Sequence, residues 1–273
     1  IKHKWGIVGR MSDLDTLMHC NPDFVEIHLT DSDVNQDKHY TKKYDVDLTV
    51  HGPEYNGDLL LNLSSLDEDV RRRSIEFFNK ALSHARKLKK LFRNGKKSIK
   101  FVVHTGGMNM ERALLDKIPQ LNKSLLDSLK KLRSDGFELL LENMPGLAWY
   151  FGGQWYQASF MDADEIVRFC KKNGYGATFD TSHAALYCNL YGKNLEEYTR
   201  KILPVVRYIH ISDGAKFNGE GLQIGDGSID FKKILAHLVK TDLWFLPEIW
   251  QGHKFGGEGY LKAIEVLKSI DPE

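Results

Sequence analysis

Six side chains that commonly bind metal ions each follow a short apolar run in the chain. They are His51, His104, Glu142, Asp180, His210 and Glu248. The clearest example is the segment 179–183, in which Asp180 ends an apolar run and His183 follows three residues later. Acidic and imidazole groups beside a buried strand are costly unless a cation or hydrogen bonds compensate them. If these six positions converge in the fold, they form a cation site.

The ligand types limit the chemistry of such a site. Glu142, Asp180 and Glu248 offer carboxylate oxygens, and His210 adds one imidazole. This mixed set suits Zn²⁺, Mn²⁺, Mg²⁺ or Co²⁺ and does not discriminate strongly among them. His51 and His104 would add two imidazoles, which favours zinc as the bound metal, with manganese as the next choice. Alternatively, these two histidines would bind a second metal ion. A lone histidine at a strand end is usually structural, so the prediction depends on the coincidence of all six.

The elements that must position these residues alternate along the chain. Strands are predicted at 5–8, 24–29, 47–50, 99–103, 137–141, 176–179, 205–209 and 244–246. Helical patterns lie at 65–92, where Ser65 opens a capping-box pattern, and at 118–134, 163–172, 195–202, 229–239 and 260–269. A further helical pattern follows His183. Near-continuous apolar strands between amphipathic helices indicate a parallel sheet covered on both faces.

Eight such units in 273 residues fit one (β/α)8 TIM barrel, an α/β fold in a single domain spanning 1–273. The alternative is an open doubly wound sheet with its ligand at the switch point. We favour the barrel because polar residues end almost every strand, whereas an open sheet needs them only beside its crevice. The start at Ile1 rather than Met is compatible with one domain of a longer protein.

Composition sets weaker limits on partners and location. With 38 Lys and Arg against 37 Asp and Glu, nothing demands a polyanionic partner, so nucleic acid is disfavoured without being excluded. The three cysteines have no paired spacing, which suits a reducing compartment. No apolar run reaches membrane-spanning length, so we expect no membrane contact and a cytoplasmic location. Oligomeric state leaves no readable motif.

Several other polar or aromatic residues have less specific interpretations. Glu26 and His28 are interpreted as structural, although one of them could face the site. Asp213 is interpreted equally well as a turn-forming residue. The aromatic loop at 149–156, which begins with Trp149, is expected to form a wall of the site.

At these positions the sequence resembles the xylose isomerase-like TIM-barrel superfamily, which includes sugar isomerases and epimerases and endonuclease IV (AP endonuclease family 2). The resemblance rests on HGPEYNGDLLLNL at 51–63, VHTGG at 103–107, LENMPG at 141–146, FDTSH at 179–183, IHISD at 209–213 and Glu248. Each motif is weak singly, but their order and placement at strand ends are specific for the superfamily. The resemblance covers almost the whole chain.

Resemblance to the sugar isomerases and epimerases implies one divalent metal, held by the quartet Glu142, Asp180, His210 and Glu248. Glu142 and Glu248 would then be the catalytic base and acid that move a proton between adjacent carbons through an enediolate. Substrate contacts would come from His183, from Trp149 and from Lys216, which stands where the epimerases place an arginine. Ala148 stands where some epimerases carry a second acidic residue.

Resemblance to endonuclease IV implies instead a zinc-dependent phosphodiester hydrolase. One metal would be held by His51, His104 and Glu142, and a second by the quartet. The third metal of that enzyme needs His183 and an Asp-x-His pair, where this chain has Gly219 and Gly221 with Glu220 between them. Because this third site is defective, the sequence favours a sugar or sugar-phosphate isomerase or epimerase. The hydrolase is the alternative hypothesis, and a non-catalytic barrel is a third one.

Overall fold

The computed structural model describes residues 3–36 and 38–270, in which eight parallel strands form a barrel. They are β1 (Gly6–Gly9), β2 (Phe24–His28), β3 (Asp47–His51), β4 (Ile99–Val103), β5 (Phe137–Glu142), β6 (Gly176–Asp180), β7 (Val206–Ile211) and β8 (Phe245–Pro247). Their order in the sheet is their order in the chain. Trp5 pairs with Phe245 in parallel, and the Phe245 N–H donates to the Lys4 carbonyl at 2.9 Å. This pairing closes the sheet, so the barrel prediction is confirmed and the open-sheet alternative is wrong.

Helices lie between the strands. They are α1 (Leu14–Leu17), α2 (Asp31–Asn35), α3 (Glu68–Leu88), α4 (Ile118–Leu129), α5 (Ala163–Asn173), α6 (Thr181–Tyr191), α7 (Leu195–Ile202), α8 (Phe231–Leu238) and α9 (Lys254–Ile270). Short 3₁₀ turns occupy Met18–Cys20, Lys89–Leu91, Leu115–Lys117 and Leu203–Val205.

The starts of α3 and α9 can be compared with the sequence prediction, and that of α3 differs from it. The N-cap of α3 is Asp67, whose carboxylate accepts from the backbone N–H groups of Asp69 and Val70, so the helix begins later than Ser65. The Ser65 hydroxyl accepts from the Asp67 N–H and so holds the cap instead. In α9, the three residues 255–257 have positive φ, so regular helix begins only beyond them, close to the predicted residue 260.

Three local pairings form beyond strand ends, at positions where the sequence analysis predicted no strands. They are the hairpin of Tyr55–Asn56 with Leu59–Leu60, the three-stranded sheet of Met108–Asn109, Gly153–Gln157 and Leu147–Tyr150, and the hairpin of Asp213–Ala215 with Gly219–Leu222. These pairings follow β3, β4, β5 and β7, and therefore lie at the carboxyl-terminal end of the barrel. They raise the wall around the strand ends.

The barrel interior is filled by a small apolar cluster: Phe24, Val102, Leu140, Tyr208 and Leu246, none of which is exposed to solvent. Each member stands two residues before a polar residue in the carboxyl-terminal half of its strand or just beyond it: Glu26, His104, Glu142, His210 and Glu248. Because side chains alternate across a strand, each pair points to the same side. The cluster is therefore the layer directly beneath the polar residues, and a second, larger core lies between strands and helices.

Truncation of this layer should be costly. Leu140→Ala removes three carbons from a fully buried site and should lower the free energy of unfolding by about 2–5 kcal/mol, through lost burial and the cavity left behind. Leu66→Ala is the matched control, because Leu66 is 42% exposed and its truncation should cost within about 0.5 kcal/mol. Urea unfolding followed by circular dichroism measures both, and equal losses would contradict the assignment of Leu140 to the core.

Candidate metal centre

The carboxyl-terminal ends of the strands surround a cavity of about 920 Å³, which we call the bowl. Its lining includes His28, His51, His104, Asp180, His183 and Glu248. Glu142 and His210 lie fully buried beneath it. Among the described residues, two groups could each hold a metal ion, with ligand atoms within 4.8 Å of one another: His51, His104 and Glu142, and then Glu142, Asp180, His210 and Glu248. The structure therefore brings together all six strand-end residues that the sequence singled out.

Glu142 belongs to both groups, and its carboxylate lies at the centre of the site. Its Oε2 is 3.3 Å from His51 Nε2 and 3.3 Å from His104 Nε2. Its Oε1 is 3.4 Å from His210 Nδ1 and 3.5 Å from His183 Nδ1. Each carboxylate oxygen thus faces a different pair of imidazoles, which is an arrangement that can bridge two cation positions.

Asp180 is held by the start of the helix that follows it. It is the N-cap of α6, and its Oδ1 accepts from the His183 N–H at 2.6 Å and from the Ser182 hydroxyl at 2.9 Å. The Asn143 side chain donates to the Asp180 carbonyl at 3.0 Å and accepts from the Asp180 N–H at 2.8 Å. The motif around Asp180 therefore combines a strand end with a helix cap, which fixes the direction of the carboxylate.

Backbone carbonyls select the neutral tautomers of two histidines. His51 Nδ1 lies 2.8 Å from the Gly52 carbonyl, and His183 Nδ1 lies 3.0 Å from the Asn143 carbonyl. A carbonyl can only accept, so in the neutral imidazole Nδ1 carries the hydrogen and Nε2 keeps its lone pair. For His51 that lone pair points towards Glu142, as a metal ligand requires.

The residues present fit a divalent cation. Among the described residues, buried polar atoms without a hydrogen-bond partner include Glu142 Oε1 and His210 Nδ1. His210 Nδ1 also lies 2.7 Å from Glu248 Oε2. Both atoms therefore lie near charged groups without a well-formed hydrogen bond, and a cation would satisfy both of them together. The mixed set of nitrogen and oxygen ligands suits several divalent metals.

The charges around the site show what a cation would replace. Burial opposes the charge on Glu142, but His210 and His104 outweigh it and hold its pKa well below the usual range. Burial likewise opposes a charge on His51 and His183, yet the neighbouring carboxylates raise the pKa of each to about 9. Burial raises the pKa of Asp180. Protons on the histidines therefore neutralise the carboxylates where a metal would otherwise do so.

The other residues that the sequence singled out differ in how close they lie to the site. Trp149 is 65% exposed and lines the rim of the bowl, as a wall residue would. Lys216 lies in the exposed turn of the 213–222 hairpin and is not among the described residues that line the bowl. Its predicted substrate contact has no geometric support. Glu26 and His28 both face the site, because Glu26 lies 3.3 Å from His210 and His28 lines the bowl.

Two acidic residues approach the histidines from the rim. Glu220 lies 3.7 Å from His183 Nε2. Glu54 lies 3.4 Å from His104 Nδ1 and was missed by the sequence analysis, although it stands three residues after His51 in a quoted motif. Glu220 brings an acidic group near His183, but it does not join either of the two ligand groups found among the described residues.

Asp213 does more than form a turn. Its carboxylate accepts from four backbone N–H groups, those of Gly214, Gly225, Gly227 and Ile229, at 2.8–3.0 Å. A Cβ on Gly227 would lie 2.3 Å from the Asp213 carboxylate, so this close approach requires glycine. Asp213 thus organises the loop that carries Glu220 over the bowl.

Metal binding should release protons. Neighbouring carboxylates raise the pKa of His51 to about 9 and hold the pKa of His210 well above its usual range, so both imidazoles are positively charged at neutral pH. Each belongs to one of the two ligand groups, and a metal ligand must lose the extra proton. Zn²⁺ affinity should therefore fall as pH decreases from 9 to 6, about tenfold per pH unit for each proton displaced.

Calorimetric titration of Zn²⁺ in buffers of different ionisation enthalpy measures the number of protons released. His51→Gln is the matched variant, because it removes one of the two protonated groups and should reduce this number at pH 7.5. Binding that is independent of pH and buffer would contradict the assignment.

None of the helices within 3–36 and 38–270 combines the length and apolar character needed to span a membrane.

The uncharacterized protein MJ1311 of Methanocaldococcus jannaschii is 28% identical over 201 residues, which cover 72% of this chain. The match covers 61% of that curated relative, so the chain corresponds to about three fifths of its length.

Among solved structures, a D-allulose 3-epimerase from Methylomonas sp. in complex with D-allulose has a TM-score of 0.67 at 14% identity, covering 97% of this chain and 96% of that one. The IolI protein with a bound zinc atom has a TM-score of 0.64 at 15% identity, covering 98% and 97%. At these identities, the similarity shows the fold. The family model described as xylose isomerase-like TIM barrel matches residues 14–270. This match spans most of the chain, which therefore belongs to the family of xylose isomerase-like TIM barrels.

Proposed function

We propose that the protein is a divalent-metal-dependent isomerase or epimerase of a sugar or sugar phosphate. The observation that carries the proposal is the quartet Glu142, Asp180, His210 and Glu248, whose ligand atoms converge at the base of the bowl. Glu142 Oε1 and His210 Nδ1, which are buried without a well-formed hydrogen bond, support a cation at this place. The structural similarity to an epimerase with bound D-allulose supports a sugar as the substrate class.

A divalent cation held by the quartet would supply Lewis-acid polarisation of the carbonyl and the neighbouring hydroxyl of a bound sugar, which acidifies the C–H bond of the carbon that bears this hydroxyl. Glu248 and Glu142 would remove that proton and return one. In an isomerisation the proton goes to the adjacent carbon, and in an epimerisation it goes to the opposite face of the same carbon. Glu248 is partly exposed to the bowl, whereas Glu142 is fully buried beneath it, so the two carboxylates approach a substrate from different depths. His183, with its imidazole at the bowl surface, would bind a substrate hydroxyl.

Glu248 has the ionisation state that a base requires. Burial opposes its charge, but His210 at 2.7 Å outweighs this effect and lowers the pKa of Glu248 to about 2. At neutral pH the carboxylate is therefore ionised and can accept a proton. Trp149 and neighbouring aromatic residues would shield the reacting carbons from part of the solvent.

Glu248→Gln should abolish proton transfer while leaving the fold intact. The amide keeps the size of the side chain but cannot act as a base, so we expect turnover to fall by about 10²–10⁴-fold. The measurement is incorporation of deuterium from heavy water into carbon positions of a panel of ketohexoses and their phosphates, including D-allulose, with Mn²⁺-loaded or Zn²⁺-loaded protein.

Glu138→Gln is the matched control, since Glu138 lies at an exposed position of the same strand as Glu142. It should exchange deuterium at the wild-type rate. Full exchange in Glu248→Gln would remove this residue from the acid–base pair.

A second candidate function follows from a specific observation. His51, His104 and Glu142 form a ligand group of their own that shares Glu142 with the quartet. Two neighbouring cations can bracket a phosphate and stabilise both the attacking and the leaving oxygen of a displacement. This arrangement favours a zinc-dependent phosphodiester hydrolase related to endonuclease IV. Gly219 and Gly221, which offer no ligand for a third metal, argue against it.

Metal stoichiometry separates the two functions. Elemental analysis after chelation, re-addition of Zn²⁺ and dialysis should give one tightly held ion per chain for the isomerase. Two ions per chain, together with hydrolysis of bis(p-nitrophenyl) phosphate or of DNA with an abasic site, would favour the hydrolase. A metal-loaded protein that does neither reaction would favour a non-catalytic barrel.

A further inference from the structure

A fully buried carboxylate, Glu26, lies beside the quartet and is not part of it. It is in β2, and none of its surface is exposed to solvent. Its Oε1 is 3.0 Å from His28 Nε2, and its Oε2 accepts from the Thr49 hydroxyl at 3.3 Å. Both of its oxygens lie 3.3 Å from His210 Nε2. A charge in this position is costly, so its partners must explain its presence.

The first partner, His210, receives its orientation from Glu26. An ionised carboxylate can only accept, so the neutral imidazole of His210 must carry its hydrogen on Nε2. The lone pair of Nδ1 is then directed towards Glu142 Oε1 at 3.4 Å and Glu248 Oε2 at 2.7 Å. A carboxylate on the outer nitrogen of a histidine ligand fixes the tautomer and increases the basicity of the inner nitrogen.

The second partner, His28, connects Glu26 to another residue of the quartet. Its Nε2, which contacts Glu26, also lies 3.5 Å from Glu248 Oε1. Its ring packs against the ring of His51 with centroids 4.3 Å apart. His28 is therefore confined between a buried anion, a residue of the quartet and a residue of the second group.

We propose that Glu26 and His28 are a positioning pair for the cation site. Glu26 fixes the tautomer and ring direction of His210, and His28 holds the Glu248 carboxylate from the opposite side. The pair thereby increases the affinity of the quartet for a divalent ion without binding the ion itself. This inference rests on the metal centre of the proposed function and does not depend on which substrate the bowl accepts.

Glu26→Gln tests the role of the charge. The amide keeps the size of the side chain and can still accept from the Thr49 hydroxyl, but it lacks the negative charge that acts on His210. Loss of such an outer partner typically weakens metal binding by about 10–100-fold, and we expect a decrease in this range. The measurement is the Kd of Co²⁺ and Zn²⁺ in competition with a chelator, together with the visible absorption spectrum of bound Co²⁺.

Glu165→Gln is the matched control. Glu165 is also a buried carboxylate, but it accepts from the Asn122 side chain and the Phe160 N–H, outside the bowl. The same chemical change there should leave both the metal Kd and the Co²⁺ spectrum at their wild-type values.

His28→Gln provides a second variant in case the buried substitution prevents folding. The side chain of His28 is 31% exposed, so its replacement is tolerated more easily than that of Glu26. We expect about tenfold weaker Co²⁺ binding, the low end of the same range, and a changed Co²⁺ spectrum.

The outcomes distinguish this inference from the proposed function. Wild-type affinity and an unchanged spectrum in Glu26→Gln and His28→Gln would overturn the positioning role and leave the isomerase proposal standing. Equal weakening in Glu165→Gln would overturn it too, because the effect would then be general destabilisation. Weaker metal binding in the two bowl variants supports the role even if the wild-type protein turns over no sugar.

Discussion

The cost of burying charge determines how the carboxyl-terminal end of this barrel is built. Glu26, Glu142 and Asp180 are nearly or fully inaccessible to solvent, and water cannot stabilise their charges there. Imidazoles surround them instead, and the resulting attraction lowers the pKa of Glu142 and raises that of His51. Protons and a divalent cation are then alternative ways to neutralise the same set of carboxylates. The closed strands and helix caps keep these like charges together where an unconstrained chain would separate them.

Much of this site could be predicted from the sequence, because the apolar runs that mark the strands end at the residues that form the site. Apolar runs with a polar residue at their end indicate both the strands and the residues that face the bowl, and the alternation within a strand places Leu140 beneath Glu142. Closure of the barrel was harder to predict from the sequence, because it depends on pairing between Trp5 and Phe245, which lie near opposite ends of the chain. Glu26 and His28 were interpreted as structural because single residues inside a strand carry no signal of their partners, which come from β3, β7 and β8.

The local differences have physical causes as well. Asp67, two residues after Ser65, offers a carboxylate to two N–H groups and therefore caps α3 more effectively than a hydroxyl could. The aromatic segment after β5 was expected to be a loop because its strands are short and, among the described residues, pair with each other and with Met108–Asn109 rather than with the barrel. Lys216 has a positive φ of 56° in a hairpin turn, and the resemblance that gave it a role does not specify turn geometry.

The apolar cluster beneath the polar residues closes the bowl at its base. The barrel axis below the bowl is filled by Phe24, Val102, Leu140, Tyr208 and Leu246, so a small molecule would reach Asp180 from the open side of the bowl, whose rim includes Trp149. Entry and exit then share one passage, and an occupied bowl excludes the next molecule. For a reaction that converts one molecule into another of the same size, product and substrate would compete directly for this passage. Accumulated product would then slow the forward conversion by occupying the passage as well as by feeding the reverse reaction.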